Sequence, residues 1–172
     1  MHGQIIADGD RCQVRFERLY YKPIEKVFAA LTVPERLAAW LGAVEIEPRA
    51  GGRFVLVFAD PPYRLEGEVS AYQSPALFEF TWPEKPGATP SLVRFALTAE
   101  GPATRLVLTQ TFIAKGDLPG VAAGWHEHLD RLEVAADGVT TTRWNREREA
   151  ALAAEYGRMV GGEGFEPTTS WV

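Results

Sequence analysis

In five short segments in the middle of the chain, apolar residues recur at every second position. A later segment carries apolar residues at helical spacing. The five segments cover residues 54–58, 67–72, 78–82, 93–97 and 106–110. Such alternation is typical of antiparallel strands with one face toward a core. Further along, Trp125, Leu129, Leu132 and Ala136 recur every three or four residues, which places them on one face of a helix. This order predicts an α+β fold in which one late helix crosses an antiparallel sheet.

The remaining segments complete this layout. Residues 14–21 alternate as a first strand, and Pro23 and Pro34 each open a short helix, since a proline is tolerated in the first helical turn. With a short strand at 44–47, we expect a curved sheet of six to seven strands wrapped on the long C-terminal helix. We assign residues 1–138 to this domain, 139–160 to an appended helix and 161–172 to a flexible tail.

Composition excludes several classes of protein. The 172-residue chain has a net charge of −5, and nucleic-acid binding relies on basic side chains that neutralise phosphates, so no nucleic-acid partner is expected. No apolar run reaches the roughly 18 residues of a spanning helix, so we expect no membrane insertion. The single cysteine, Cys12, predicts no internal disulfide and a reduced, cytoplasmic setting.

The layout also predicts a hollow between the sheet and the long helix. A helix is about 10 to 12 Å across, whereas six or seven strands spaced about 4.8 Å apart make a sheet roughly twice as wide. The expected occupant is a small apolar or aromatic molecule. The predicted ligand-binding residues are Arg18, Trp40, Phe54, Leu56, Phe58, Phe78, Phe80, Trp82, Phe95, Leu97, Leu108, Gln110, Trp125, His128, Leu129 and Leu132.

Three of these residues are polar. Arg18 lies on the inner face of the first strand, where it would hold an anionic ligand group, pair with a nearby acid or emerge at the rim. Gln110 would place an amide in the hollow, and a ligand, water, Tyr72 or the backbone would have to satisfy it. His128 lies at the edge of the helix stripe, either as a ligand contact or as a half-exposed helix residue.

The sequence predicts neither a metal site nor a cofactor. His126 and His128 are two residues apart and point to roughly opposite sides of a helix, whereas metal-binding pairs need a spacing of three or four. No Ser–His–Asp or Cys–His set is recognisable by position. In the appended segment, Arg146 and Arg148 interleave with Glu147 and Glu149, which predicts a solvated helix face.

Several stretches, in this order, resemble the START-like superfamily, also called SRPBCC. The chain is most similar there to bacterial homologues of the activator of heat-shock-protein-90 ATPase. The resemblance covers about residues 11 to 137. The matching stretches are 23–32, 34–40, 51–54, 67–69, 80–82 and 104–109, with Gly124, Trp125, Leu129 and Leu132.

The resemblance implies a helix-grip fold with a cavity between sheet and C-terminal helix, in which members bind lipids, steroids or polyketides. The leading hypothesis is therefore a module that binds a small hydrophobic molecule. A cyclase- or hydrolase-type enzyme using the same cavity remains open, as does a chaperone-linked or other protein-interaction role. A homodimer is also left open.

Overall fold

Eight antiparallel strands form one sheet, ordered β1-β2-β8-β7-β6-β5-β4-β3 from edge to edge. The computed structural model describes residues 2–8, 11–59, 62–83, 89–112, 117–139 and 144–160. The strands are β1 Gln4–Asp8, β2 Arg11–Tyr20, β3 Ala43–Ile46, β4 Gly52–Ala59, β5 Pro62–Gln73, β6 Leu77–Trp82, β7 Ser91–Glu100 and β8 Ala103–Phe112. The sheet contains every predicted strand and one more.

The extra strand corrects the expected count of six to seven. β1 pairs with β2 in a register that sets Ile5 opposite Val14. The first ten residues carry no clear alternation of apolar and polar side chains, so the sequence pattern did not reveal this strand. The strand is defined instead by its backbone pairing with β2, which a periodicity analysis does not detect.

Four helices accompany the sheet: α1 Ile24–Thr32, α2 Pro34–Leu37, α3 Leu118–Ala135 and α4 Arg146–Val160. The α+β class, the two short helices after the first long strand and the late helix are confirmed. Within the described ranges, no helix combines the length and apolar character that crossing a bilayer requires.

α3 begins at Leu118, directly after the N-cap residue Asp117. The Asp117 carboxylate accepts a hydrogen bond of 3.0 Å from the Gly120 backbone N–H, which satisfies one of the free donors of the first turn. A Cβ at Gly120 would lie 2.2 Å from Asp117 Oδ2, so a larger residue there would have to displace the capping carboxylate. The predicted stripe of Trp125, Leu129 and Leu132 is buried against the sheet. Tyr20 on β2 donates a hydrogen bond of 3.1 Å to the Leu129 carbonyl.

α4 packs along α3, and its Tyr156 hydroxyl also accepts a hydrogen bond of 2.8 Å from the backbone N–H of Gly3, just ahead of β1. Arg148 contacts both Glu127 and Asp130 of α3, and the Tyr156 hydroxyl lies 2.9 Å from Nδ1 of His126. Glu127 is consequently only 5% exposed. The predicted solvated face is only partly solvated at Arg148, whose side chain is 40% exposed while it contacts Glu127 and Asp130 of α3. The predicted tail, residues 161–172, lies outside the described residues.

Candidate functional site

Three aromatic side chains meet at one end of the sheet because of the strand register. Phe58 near the end of β4 lies opposite Tyr63 near the start of β5. Trp82 at the end of β6 lies opposite Ser91 at the start of β7, beside the end of β8. All three rings are half-buried, and the Tyr63 hydroxyl donates a hydrogen bond of 2.9 Å to the Pro83 carbonyl.

Behind this end of the sheet, the rings of α3 and of the strands are in direct contact. The Trp125 ring lies 5.8 Å, centroid to centroid, from both the Trp82 and the Phe95 rings. Trp125 itself is only 4% exposed. Where the comparison of helix and sheet widths predicted space, the structure therefore places tryptophan and phenylalanine side chains.

His128 stands at the centre of a group of aromatic rings. Its ring centroid lies 4.6 Å from that of Trp144, 5.8 Å from Trp125, 6.1 Å from Trp40 and 6.2 Å from Phe58. We call these five residues the His128 cluster. It joins α3 to the β4 end, to the residues after α2 and to the residue two before α4. Its outer members, Phe58 and Trp144, are half-buried, whereas Trp40 is fully buried.

The electrostatics of His128 follow from this enclosure. Nδ1 lies 3.0 Å from the Trp40 carbonyl oxygen, and the residue is 8% exposed. Burial lowers the pKa of His128 to about 4, with the hydrogen bond to Trp40 opposing the shift and the nearby Arg131 charge adding to it. His128 is therefore neutral at pH 7, and the alternative of a half-exposed helix histidine is wrong.

A chain of hydrogen bonds joins α3 to β8, β7 and β6. The indole N–H of Trp125 donates to Gln110 Oε1 at 2.6 Å, and Gln110 Nε2 donates to Ser91 Oγ at 2.7 Å. Ser91 Oγ in turn donates to the Trp82 carbonyl at 3.1 Å. The predicted need of Gln110 for partners is met by Trp125 and Ser91. Both ends of its amide are therefore engaged within the protein.

Arg18 belongs to a different neighbourhood. Its guanidinium carbon lies 5.3 Å from the Phe16 ring centroid, and Nη2 is 3.9 Å from the Asp130 carboxylate, too far for a hydrogen bond. Buried Nη2 has no hydrogen-bond partner among the described residues. The expected pairing with a nearby acid is thus present as an ion pair, on the side of α3 that carries His126.

The other predicted lining residues form the core beneath this site. The rings of Phe54 and Phe80 stack with centroids 4.0 Å apart, and Phe78 stacks on Phe95 at 6.3 Å. All of these remaining residues are buried: Phe54, Leu56, Phe78, Phe80, Leu97, Leu108, Leu129 and Leu132. They pack against one another as a continuous apolar layer, and His128 is a polar residue at its edge.

A surface groove lies elsewhere on the molecule. It has a volume of about 190 Å³ and runs between β1 and the last turn of α4. Its lining residues are Gly3, Gln4, Ile5, Tyr156, Met159 and Val160. None of the residues predicted from the sequence lines this groove, and its position separates it from the His128 cluster.

The predicted ligand-binding set lacks three residues that lie at this site: Tyr63, Ser91 and Trp144. Ser91 could have been found only through the strand register, which sets Val93 opposite Gln110 and thereby brings Ser91 close. Trp144 lies sixteen positions beyond His128 in the sequence, and only the fold of α4 onto α3 brings the two rings together. Its indole N–H donates to Glu149 at 2.6 Å.

These contacts limit what the site can do chemically. Gln110 and His128 both flank Trp125, but both ends of the Gln110 amide are bonded internally. Arg18 contacts Phe16 and Asp130 instead. Of the three polar candidates, His128 alone combines a neutral, titratable ring with half-buried aromatic neighbours. Such an arrangement suits recognition of a flat apolar molecule, because aromatic faces provide a large contact area at low entropic cost.

Residues 22–137 match the family model described as Activator of Hsp90 ATPase homolog 1-like protein. A search of curated proteins found no match to this chain. The crystal structure of CalU16 from Micromonospora echinospora is similar over 94% of this chain and 93% of that chain, with 22% identity and a TM-score of 0.71.

Two further solved structures share the fold. The protein encoded by gene BPP1335 from Bordetella parapertussis is 29% identical, with a TM-score of 0.72, over 88% of this chain and 87% of that chain. DynU16, a protein in the dynemicin biosynthetic locus, is 22% identical with a TM-score of 0.70. That match covers 77% of this chain and 49% of DynU16.

Proposed function

The chain belongs to the family of Activator of Hsp90 ATPase homolog 1-like proteins, and from this membership we propose that it binds a small aromatic or apolar molecule at the His128 cluster. The observation that carries the proposal is the set of half-buried rings at one end of the sheet, Phe58, Tyr63, Trp82 and Trp144, next to a buried neutral histidine. Ligand binding between sheet and helix is also what the superfamily resemblance implies.

The difference in burial among the rings supports this location. Moving a fully buried ring such as Phe95 would open a void in the core, at a cost of roughly 24 cal/mol per Å³. A half-buried ring such as Phe58 or Trp144 already faces solvent on one side. A flat ligand that takes its place against His128 replaces one aromatic contact by another, so the apolar area lost from the protein is recovered from the ligand.

Only some of the predicted ligand-binding residues would therefore touch the ligand. Phe58, Trp82, Trp125 and His128 would contact the ligand, together with Trp144. The buried layer around Phe54, Phe78 and Phe80 would support these residues from behind without touching it. A cytoplasmic location and a homodimer remain predictions from the sequence.

Thermal unfolding in the presence of flat probes tests the proposal. We would use naphthalene, 2-naphthol and 2-methoxynaphthalene with three proteins: the native chain, Phe58→Ala and Met159→Ala. A ligand at 100 times its Kd stabilises the folded state by about 2.7 kcal/mol, so binding raises the Tm measurably. Met159 lines the separate groove and serves as the matched control.

We expect at least one probe to raise the Tm of the native chain and of Met159→Ala, and to raise that of Phe58→Ala much less. Absence of any shift across the three probes would contradict ligand binding. A shift that Phe58→Ala retains and Met159→Ala loses would move the binding site to the groove between β1 and α4. Native mass spectrometry of the protein as purified would, in addition, reveal a small molecule carried over from the cell.

A further inference from the structure

The hydrogen-bonding capacity of the His128 cluster is almost entirely used within the protein. The indole N–H groups of Trp40, Trp125 and Trp144 donate to the Ala30 carbonyl, to Gln110 and to Glu149, respectively. The Gln110 amide donates to Ser91. The three indole donors of the cluster are therefore occupied, and a ligand entering the cluster would have to displace an existing bond to receive a hydrogen from any of them.

His128 is the exception, and its geometry fixes which kind of bond it can offer. Nδ1 lies 3.0 Å from the Trp40 carbonyl oxygen. A carbonyl oxygen only accepts hydrogen bonds, so Nδ1 must carry the ring proton. A neutral imidazole has one such proton, which leaves a lone pair on Nε2. Among the described residues, no hydrogen-bond partner of Nε2 is seen.

Two features hold the ring in this neutral form. The surrounding rings of Trp40, Phe58, Trp125 and Trp144 exclude water from it. Arg131, whose guanidinium carbon lies 5.7 Å from the Trp144 ring centroid, adds a positive charge that disfavours a second proton. Near neutral pH, the cluster therefore presents one hydrogen-bond acceptor, Nε2 of His128, surrounded by aromatic rings.

We infer that the ligand is a flat aromatic molecule carrying a hydroxyl or N–H group, and that this group donates a hydrogen bond to Nε2 of His128. The inference rests on the proposed function and names its ligand class: phenols, hydroxylated polycyclic compounds and N–H heteroaromatics. Aromatic ethers and ketones of the same size, which have no hydrogen to donate, bind more weakly.

A matched pair of probes distinguishes a hydrogen bond to Nε2 of His128 from apolar binding alone. 2-Naphthol and 2-methoxynaphthalene share one ring system, and the ether is the more apolar of the two, so apolar burial alone favours the ether. We would measure both Kd values by isothermal titration calorimetry at pH 7.5. A single net hydrogen bond predicts that 2-naphthol binds several-fold more tightly, up to roughly tenfold.

His128→Asn is the informative variant, because an asparagine amide can still donate to the Trp40 carbonyl but has no acceptor at the Nε2 position. We expect it to abolish the preference for 2-naphthol while leaving the Kd of the ether nearly unchanged. His126→Asn, the same substitution on the opposite side of α3, is the control and should keep the preference.

Each outcome decides something different. Equal Kd values in the native protein, or a preference that survives His128→Asn, overturn the inference and leave the proposed function standing. Failure of both probes to bind contradicts the proposed function itself. Should His128→Asn not fold, ¹⁵N chemical shifts of His128 in the native protein give an independent reading: protonated Nδ1 with a pyridine-like Nε2 supports the inference, and protonated Nε2 overturns it.

Discussion

The ring of Trp144, just ahead of the last helix, lies 4.6 Å from the ring of His128 on the main helix. His128 lies inside the region that the family model matches, and Trp144 lies beyond the end of that region at residue 137. Their contact means that the segment after the matched region forms one side of the site. The environment of His128 is therefore set both by the matched region and by the residue two positions before α4.

Removing that wall is expected to change the titration of His128. In Trp144→Ala the ring gains access to water, so its pKa should rise from about 4 toward the ordinary value near 6.5. We also expect a loss of roughly 2 kcal/mol in the free energy of unfolding, about half the cost of truncating a fully buried tryptophan. NMR titration of His128 measures the pKa directly. Tyr21→Ala, which removes a ring that is 79% exposed, is the control; an unchanged His128 pKa in Trp144→Ala would disprove the shielding role.

Stability should depend on pH through the buried histidines. Burial lowers the pKa values of His126 and His128 below that of an unfolded histidine, so between about pH 6.5 and 4 the unfolded chain binds protons that the folded chain does not. The free energy of unfolding therefore falls as the pH drops through this window and is fully retained above it. For His128 alone, the loss between pH 7 and pH 5 is roughly 2 kcal/mol.

Urea unfolding at pH 7 and pH 5 checks this prediction. The difference between the two free energies should shrink by roughly 2 kcal/mol in His128→Asn, whatever the absolute stability of the variant. Carboxylates held in ion pairs, such as Glu17 beside Arg15 and Arg105, have lowered pKa values and titrate below this range. An identical pH difference in the native chain and the variant would show that His128 is not the titrating group.

Replacing Arg148 is expected to lower the free energy of unfolding more than replacing another arginine of α4. Arg148 contacts Glu127 and Asp130, and Glu127 is only 5% exposed. Replacing Arg148 by Ala leaves the mostly buried Glu127 carboxylate without this partner. Because the Arg148 side chain is itself 40% exposed, we expect a loss of about 1 to 3 kcal/mol in the free energy of unfolding. Arg158→Ala, at an exposed position on the same helix, should stay within about 0.5 kcal/mol of the native protein.

Chemical denaturation of these two variants, with the double variant Glu127→Gln/Arg148→Ala, tests the interpretation. Removing the buried charge as well should restore part of the lost stability, because the remaining amide costs less to bury than a carboxylate. If Arg148→Ala proves as stable as Arg158→Ala, the attachment of α4 to α3 does not depend on this ion pair.

The side-chain amide of Gln110 is expected to stabilise the fold through its hydrogen bonds to Trp125 and Ser91. Gln110→Leu leaves the Trp125 indole N–H without its acceptor and removes one of the two hydrogen bonds of the Ser91 hydroxyl, at a cost of about 1 to 3 kcal/mol. Gln73→Leu, on the exposed end of β5, should be nearly neutral. The ¹H–¹⁵N signal of the Trp125 indole should shift in the first variant only. An unshifted signal with native stability would mean that this hydrogen-bond chain is not formed in solution.

The periodicity of apolar residues was sufficient to identify the inward face of each strand and helix, but not the residues that each face contacts on other elements. Trp125, Leu129 and Gln110 point where their spacing predicts, because alternation in strands and a 3.6-residue repeat in helices determine facing within one element. Ser91 and Trp144 were not predicted as site residues, because their roles depend on strand register and on the packing of the segment around α4 against α3. Neither relation leaves a local pattern in the sequence.

The predicted hollow shows the limit of an argument from widths alone. A helix is narrower than the sheet beneath it, but the comparison ignores how far large side chains reach into the difference. Trp125, Trp82 and Phe95 bridge that distance with their rings. The side chains that the sequence assigned to a cavity wall therefore touch one another, and binding is proposed at the half-buried edge of this layer, beside His128.

The most direct test of the account locates a bound probe on the protein. Isotope-filtered NOE spectra of the labelled protein with unlabelled 2-naphthol report which side chains lie near the probe. The account predicts contacts to the half-buried rings of Phe58, Trp82 and Trp144 and to the His128 ring. Contacts confined to Ile5 and Met159 in the groove between β1 and α4, or no contacts at saturating probe, would contradict it.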